Sequence, residues 1–315
     1  MHRRQRTIRT SKSCVGVGLH TGVDSIITFH PAPENYGIRF VRSDIKDSPE
    51  IKADIDHVVD ISRGTTIEQN DVRIHTVEHA LAAVNGLRID NVMIELNNKE
   101  TPVMDGSAKD FVDALLDAGI KKQEAKRKVL KITRAVNYTD YYRDIDIHVI
   151  PSDNFRVTFL VEYPLPALGT QYEAIYNMEE DFAFEVAPAR TFCFLSEIEM
   201  LKEQGLIKGG GLDNALVIID KKIDEIEINR LRDLFGIEEA IAKSSNGLLN
   251  GKILRFKNEP VRHKTLDLIG DIALLGVPII GHITAARAGH ASNVEFVKKL
   301  KKVYAKELEE LWKDD

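Results

Sequence analysis

The first sixty residues alternate apolar and polar positions in short runs, Ser-Ile-Ile-Thr-Phe at 25–29 and Gly-Ile-Arg-Phe-Val at 37–41, punctuated by Gly and Pro. A period of two marks half-buried strands, so a sheet opens the chain. The period then lengthens. Residues 77–85 are good helix formers, with Thr76 as candidate N-cap and Gly86 as stop. A strand at 91–96 follows. A second helix then starts after the candidate cap Ser107, with Asp110 at its third position. Phe111, Val112, Leu115 and Leu116 form its buried stripe, and Gly119 ends it. Residues 121–128, Lys-Lys-Gln-Glu-Ala-Lys-Arg-Lys, carry almost no apolar side chain and separate two patterned halves, which predicts domains over 1–126 and 127–315. The second half repeats the order, with strands at 129–136, 145–150 and 155–161. Helices follow at 196–204, closed by Gly205, and at 260–275, closed by Gly276. The last helix begins near Ser292 and places Val297, Leu300, Tyr304, Leu308 and Leu311 at steps of three and four, with its lysines mostly off that stripe as a solvated face. The ordering points to a duplicated strand-then-helix unit, although no residue-level repeat accompanies it.

Composition narrows the class. A chain of 315 residues is about twice the length of a single-core domain. Its 43 Lys plus Arg against 49 Asp plus Glu give a net charge of −6, which argues against a nucleic-acid partner held by a positive field. Cys14 and Cys193 are the only cysteines, too few for a disulfide framework or a four-thiolate metal site, and they fit a reducing compartment. The N-terminal residues lack the apolar core of a signal peptide, and no run approaches the roughly 20 apolar residues of a membrane span. The expectation is a cytoplasmic protein without stable membrane insertion.

Three segments place ionisable residues where packing alone does not ask for them. Glu78 and His79 stand side by side in the first turn of a short, otherwise apolar helix. Taken alone, that pair reads more simply as a helix-start charge beside a core histidine. In the helix at 260–275, His263, Asp267 and Asp271 follow at steps of four along one drifting face, while Leu266, Ile269, Ile272, Ala273 and Leu275 pack the rest. A buried carboxylate must be paired or bound to a metal, and His and Asp at i and i+4 can share one ion. An exposed ion pair is the bland alternative. His290 lies in a Gly-containing loop before the last helix. Together, two His and one Asp complete a three-ligand zinc site with one open position, a Glu beside a ligand serves as base, and a further His and Asp remain for acid chemistry. That inventory suits metal-assisted hydrolysis. Gly209-Gly-Gly211 and Gly16-Val-Gly18 lack the spacings of phosphate or dinucleotide loops and read as turns or close backbone approaches.

These residues bring a family into view. Gly16-Val-Gly-Leu-His-Thr-Gly22, Thr76-Val-Glu-His79, Pro102-Val-Met-Asp-Gly-Ser-Ala108, Ala189-Arg-Thr-Phe192, Gly210-Gly-Leu-Asp-Asn-Ala215, Val261-Arg-His-Lys-Thr-Leu-Asp-Leu-Ile-Gly-Asp271 and Gly289-His-Ala291 span nearly the whole chain. In that order they resemble the UDP-3-O-acyl-N-acetylglucosamine deacetylase family, the zinc amidases of bacterial lipid A synthesis. The resemblance implies an α+β fold of two domains, each a sheet layered against helices in a duplicated two-layer sandwich, with the active site between them. It implies one catalytic Zn2+ on His79, His263 and Asp267, with Glu78 as general base. His290 would protonate the leaving amine, Asp271 would hold its imidazole, and Thr191 would help bind the oxyanion. Phe192 would line the substrate site, Lys264 would face the nucleotide-sugar end, and Leu19 and His20 would lie near the metal and the acyl passage. The implied substrate is a UDP-linked acylated glucosamine, and the expected state is a monomer. The chain departs from the family between Asp220 and Gly251, where the stretch around Ile228-Asn-Arg-Leu-Arg-Asp-Leu-Phe-Gly236 reads as an added helix. Two rival classes stand beside this reading. One is a zinc amidohydrolase acting on another acylated amine. The other is a silent nucleotide-sugar binder, which has no need of a base beside a metal.

Overall fold

The computed structural model describes residues 4–62, 64–165, 168–221, 223–224, 228–232 and 247–313. The first half runs β1 (Arg4–Ile8), β2 (Lys12–Val17), β3 (Asp24–Pro31), β4 (Ile38–Arg42), β5 (Glu50–Lys52), β6 (Val58–Asp60), β7 (Thr66–Gln69) and β8 (Val72–Ile74). It continues with α1 (Glu78–Gly86), β9 (Val92–Leu96), α2 (Lys109–Ala118) and β10 (Ile120–Lys126). The second half contains β11 (Leu130–Lys131), β12 (Val136–Asp140), β13 (Ile145–Ile150), β14 (Phe155–Glu162) and β15 (Thr170–Ile175). After these come β16 (Phe192–Phe194), β17 (Leu216–Ile218), α3 (Glu259–Ala273), β18 (Ile279–Ala286) and α4 (His290–Val303). Period-two alternation shows directly in β14, where Phe155, Val157, Phe159 and Val161 are buried and the intervening side chains are not.

The two main sheets share one topology. Their strand orders are β2-β3-β9-β4-β5 and β12-β13-β18-β14-β15, the second with β11 added beside β18. In each, the central strand is antiparallel to one neighbour and parallel to the other. Each central strand is also preceded by a helix, α1 or α3, and followed by another, α2 or α4. The duplication that residue comparison does not reveal is therefore present in the connectivity, and the α+β, sheet-and-helix class is as expected.

This repetition puts α1 and α3 in equivalent places, and they pack on one another at backbone distance. A Cβ built on Gly270 of α3 falls 2.2 Å from the Glu78 carbonyl oxygen, so any larger residue there must push the helices apart. Nearly every residue of both helices is buried, with Asn85 in α1 and Arg262 and Lys264 in α3 as the exceptions. A helix apolar on all faces belongs to an interior, which places the ionisable residues of both helices inside the protein. The hydrophobic cluster around them is continuous across the halves, from Ile27 and Phe29 to Phe159 and Ile283.

Several local expectations change. Thr76 does not cap α1: its backbone is left-handed, with φ of 59°, and its hydroxyl donates to Glu100. The left-handed residue past that helix is Arg88 rather than Gly86. Ser107 does accept the Lys109 N–H at 3.2 Å, as its place in the sequence predicts. The polar stretch at 121–128 is mostly strand β10, paired antiparallel with β1; it joins the sheet through its backbone while its lysines stay exposed. His290 is the first residue of α4 and not part of a loop. The final helix breaks at Tyr304, whose hydroxyl is held by the backbone of Thr133 and Arg134, and a separate helix follows at Ala305–Glu310. Of the added helix expected around 228–236, residues 228–232 are helical and the rest lies outside the described residues. Among the described residues no helix is long and apolar enough to cross a membrane.

Candidate functional site

The helix pair brings His79 from α1 to His263 and Asp267 from α3. His79 Nε2 lies 3.7 Å and His263 Nε2 3.4 Å from Asp267 Oδ1, and one ligand atom of each residue lies within 4.8 Å of the others. Around an ion bound at about 2.0–2.1 Å, tetrahedral ligand atoms stand roughly 3.3 Å apart, so the two imidazole–carboxylate separations are already near that spacing. His263 Nδ1 donates to the Ala189 carbonyl at 3.0 Å, which leaves the Nε2 lone pair turned to the cluster. Asp267 is divided between two tasks. Its Oδ2 accepts from Lys264 Nζ at 2.9 Å, whereas its buried Oδ1 accepts no hydrogen bond among the described residues. An ionised oxygen left bare inside a protein is costly. A cation between Oδ1 and the two imidazoles removes that cost, so the donor set fits a metal ion.

Electrostatics agree with the geometry. Burial pushes His79 down to about 3, aided by His263, and it pushes His263 down as well against the pull of Asp267. Both imidazoles are thus neutral and ready to donate lone pairs. Burial alone would raise Asp267, but Lys264, His263, His290 and His79 outweigh it and hold the carboxylate well below its usual range.

Beside the triad stands a second group. Burial, opposed by His290 and reinforced by Asp267 and Asp271, raises Glu78 to about 7. Its Oε2 accepts the Thr65 N–H at 2.9 Å, and its Oε1 lies 3.9 Å from His290 Nε2. The other ring nitrogen of His290 meets Asp271 Oδ2 at 2.8 Å. Burial works against charge on this imidazole, yet Asp271, Asp267 and Glu78 prevail and lift it to about 10. Asp271 is fully buried and is itself held, by the Thr65 hydroxyl at 2.6 Å on Oδ1 and by Asn293 Nδ2 at 2.9 Å on Oδ2. Sequence reasoning missed Thr65 and Asn293. Asn293 had a signal, since it lies three residues after His290 on the same helix face; Thr65, in the connection before β7, had none.

One cavity of about 250 Å³ collects every predicted site residue except Asp271, which stands behind His290. Thr191 and Phe192 enter at the start of β16, with the Thr191 backbone fixed by Gly106 at 2.7 Å and by Leu216 at 2.9 Å. Lys264, which the resemblance places at the nucleotide-sugar end, donates to Asp267 at 2.9 Å and stands 5.6 Å over the Phe192 ring. Leu19 and His20 form the facing wall. Their loop meets the Gly209–Gly211 turn so closely that a Cβ on Gly209 would fall 2.3 Å from the Gly18 carbonyl oxygen. The lining also includes the apolar side chains of Ile198, Leu201, Ile207, Ala215 and Val217.

The class is α+β: a duplicated sheet-and-helix scaffold that brings a metal-competent triad, a buried carboxylate and a His–Asp pair together. A sequence model described as UDP-3-O-acyl N-acetylglycosamine deacetylase (LpxC) matches residues 5–235 and 229–302, and the chain belongs to that family. A bifunctional enzyme LpxC/FabZ of Chlorobaculum tepidum is 52% identical over 299 residues, covering 95% of this chain and 64% of the relative. UDP-3-O-acyl-N-acetylglucosamine deacetylases of Myxococcus xanthus and Chlamydia pneumoniae are 40% and 38% identical, covering 94% and 95% of this chain and 86% and 98% of their own lengths. The chain thus spans under two thirds of the bifunctional relative and most of the other two.

Proposed function

We propose that the chain is a zinc-dependent deacetylase that removes acetate from the N-acetyl group of a UDP-linked, 3-O-acylated glucosamine. The shared cavity carries this reading: the metal-competent triad, Glu78 and His290 line it together with a set of apolar side chains. Two imidazoles and one carboxylate, without thiolate, suit a zinc site that keeps a position open for chemistry. When bound, zinc polarises the amide carbonyl and acidifies water.

The chain's own residues do the rest. Glu78, with Oε2 occupied by Thr65, uses Oε1 to take the proton from the attacking water. The Thr191 hydroxyl donates to the oxygen that becomes negative, a fixed contact of the kind worth about 2.7–4 kcal/mol. His290 gives its Nε2 proton to the departing nitrogen as the C–N bond breaks, releasing acetate and the sugar amine. Asp271 keeps that imidazole cationic and correctly turned. Phe192 lines the sugar site, Lys264 adds positive charge toward the nucleotide end, and Leu19 and His20 wall the approach to the apolar passage for the acyl chain. We place the reaction in the cytoplasm, on a monomer. We assign residues 1–126 and 127–315 to two units, each with one copy of the sheet topology, that enclose the cavity between them.

Metal analysis of the purified protein, paired with acetate release from the UDP-sugar with and without its acyl chain, tests the reading. One zinc per chain and a strong preference for the acylated sugar are expected. Protein that neither carries zinc nor gains activity on its addition contradicts the proposal.

His290→Ala is expected to lower kcat by about 10²-fold or more. The acid must be protonated, so activity falls as pH rises through the raised His290 value, which a bound dication draws downward from about 10. The variant should lose that basic limb of the pH–rate profile. Near-normal turnover with an unchanged basic limb removes His290 from the acid role.

A further inference from the structure

Glu100 is a fully buried carboxylate that takes no part in the chemistry above. Both of its oxygens are used as acceptors. Oε1 takes the His20 N–H at 2.9 Å and the Thr76 hydroxyl at 3.1 Å, and Oε2 takes the Thr21 N–H at 2.8 Å and the Thr21 hydroxyl at 2.6 Å. The space it fills is reserved for it: a Cβ on Gly18 would lie 2.4 Å from Oε2. These partners belong to two different parts of the cavity. His20 lines the cavity beside Leu19 and Thr21 follows it in the chain, while Thr76, which also lines the cavity, stands two residues before Glu78 in a left-handed conformation that a β-branched residue adopts only under constraint. Thr101, next to Glu100, supplies the second half of that constraint, its hydroxyl donating to the Thr76 carbonyl at 2.5 Å.

We propose that Glu100 is a positioning residue that ties the Leu19–Thr21 wall to the start of the catalytic helix and so sets how tightly the cavity grips the substrate's apolar chain. The inference rests on the deacetylase reading for its substrate and on the hydrogen bonds alone for its geometry. Only an acceptor-only side chain satisfies this position. Glutamine has the right shape, but either orientation of its amide turns an NH₂ toward a backbone N–H, of His20 or of Thr21, and two donors cannot share that contact. The wall must then shift, whereas the metal triad on α1 and α3 has no bond to Glu100.

The test compares wild type with Glu100→Gln. The variant is expected to keep the wild-type metal content, to raise KM for the acylated UDP-sugar about tenfold, as fits the loss of one charge-assisted hydrogen bond, and to change kcat much less. Its preference for the acylated over the unacylated sugar should shrink, and amide exchange at His20 and Thr21 should quicken. Thr21→Val, which removes only the hydroxyl bond, should move the same quantities in the same direction by less and serves if Glu100→Gln does not fold. Unchanged KM, preference and exchange in the folded variant overturn the inference. An inactive wild type whose His20 and Thr21 amides still depend on Glu100 would overturn the deacetylase reading and leave the tie in place.

Discussion

Glu78→Gln is expected to lower kcat by about 10²–10⁴-fold while one metal ion per chain is retained. Glutamine keeps the volume of a side chain that is 3% exposed, and its carbonyl oxygen can still accept the Thr65 N–H. Only the basic oxygen facing His290 is lost. Because Glu78 is not among the three metal-facing groups, its replacement separates base catalysis from metal binding. Single-turnover kinetics with parallel metal analysis check this. Turnover within tenfold of wild type would take the base role away from Glu78, and loss of the ion would show that Glu78 is a ligand.

Asp267→Asn is expected to have the other large effect, through the metal itself. Asp267 is the carboxylate that faces both metal-facing imidazoles, and Lys264 is the largest of the charges that hold it ionised. Loss of an outer-shell partner commonly costs about 10–100-fold in metal affinity, and loss of a charged ligand should exceed that. Turnover should vanish with the ion. Stability should fall as well, because Lys264 loses its buried partner. The penalty belongs near the low end of the about 3–5 kcal/mol seen for broken buried pairs, since the lysine side chain remains 23% exposed. Metal content after dialysis and a denaturant titration report the two effects separately. Stoichiometric metal in the variant would refute the triad.

The site was more legible in the sequence than its surroundings, for a physical reason. His263, Asp267 and Asp271 lie at steps of four in a helix whose residues from Leu266 onward are otherwise apolar or glycine, and that spacing alone aligns them. Their burial follows from the absence of a lysine-rich face. His79 and Glu78 were ambiguous until α1 was seen against α3, because a helix-start carboxylate looks the same in sequence whether it is exposed or enclosed. Thr65 and Glu100 act from connections between elements, where no periodicity exists to mark them. The boundary stretch at 121–128 gives no sign of strand β10 in its sequence, because its side chains are polar and its partner β1 is more than a hundred residues away; backbone pairing leaves no hydrophobic signature. The shared sheet topology was foreshadowed only by the order of elements, since connectivity can persist where side chains no longer match.

The equivalence of α1 and α3 has a thermodynamic side. The two helices occupy matching places in the two copies of the fold, yet one contributes a single metal-facing imidazole and the proposed base Glu78, and the other contributes two metal-facing groups and Asp271 behind the proposed acid His290. An ion held by all three can bind only when the copies are docked, so its binding free energy is also free energy of docking. A cation bound there would be a clasp as well as a reagent, joining two matching halves through an asymmetric set of side chains.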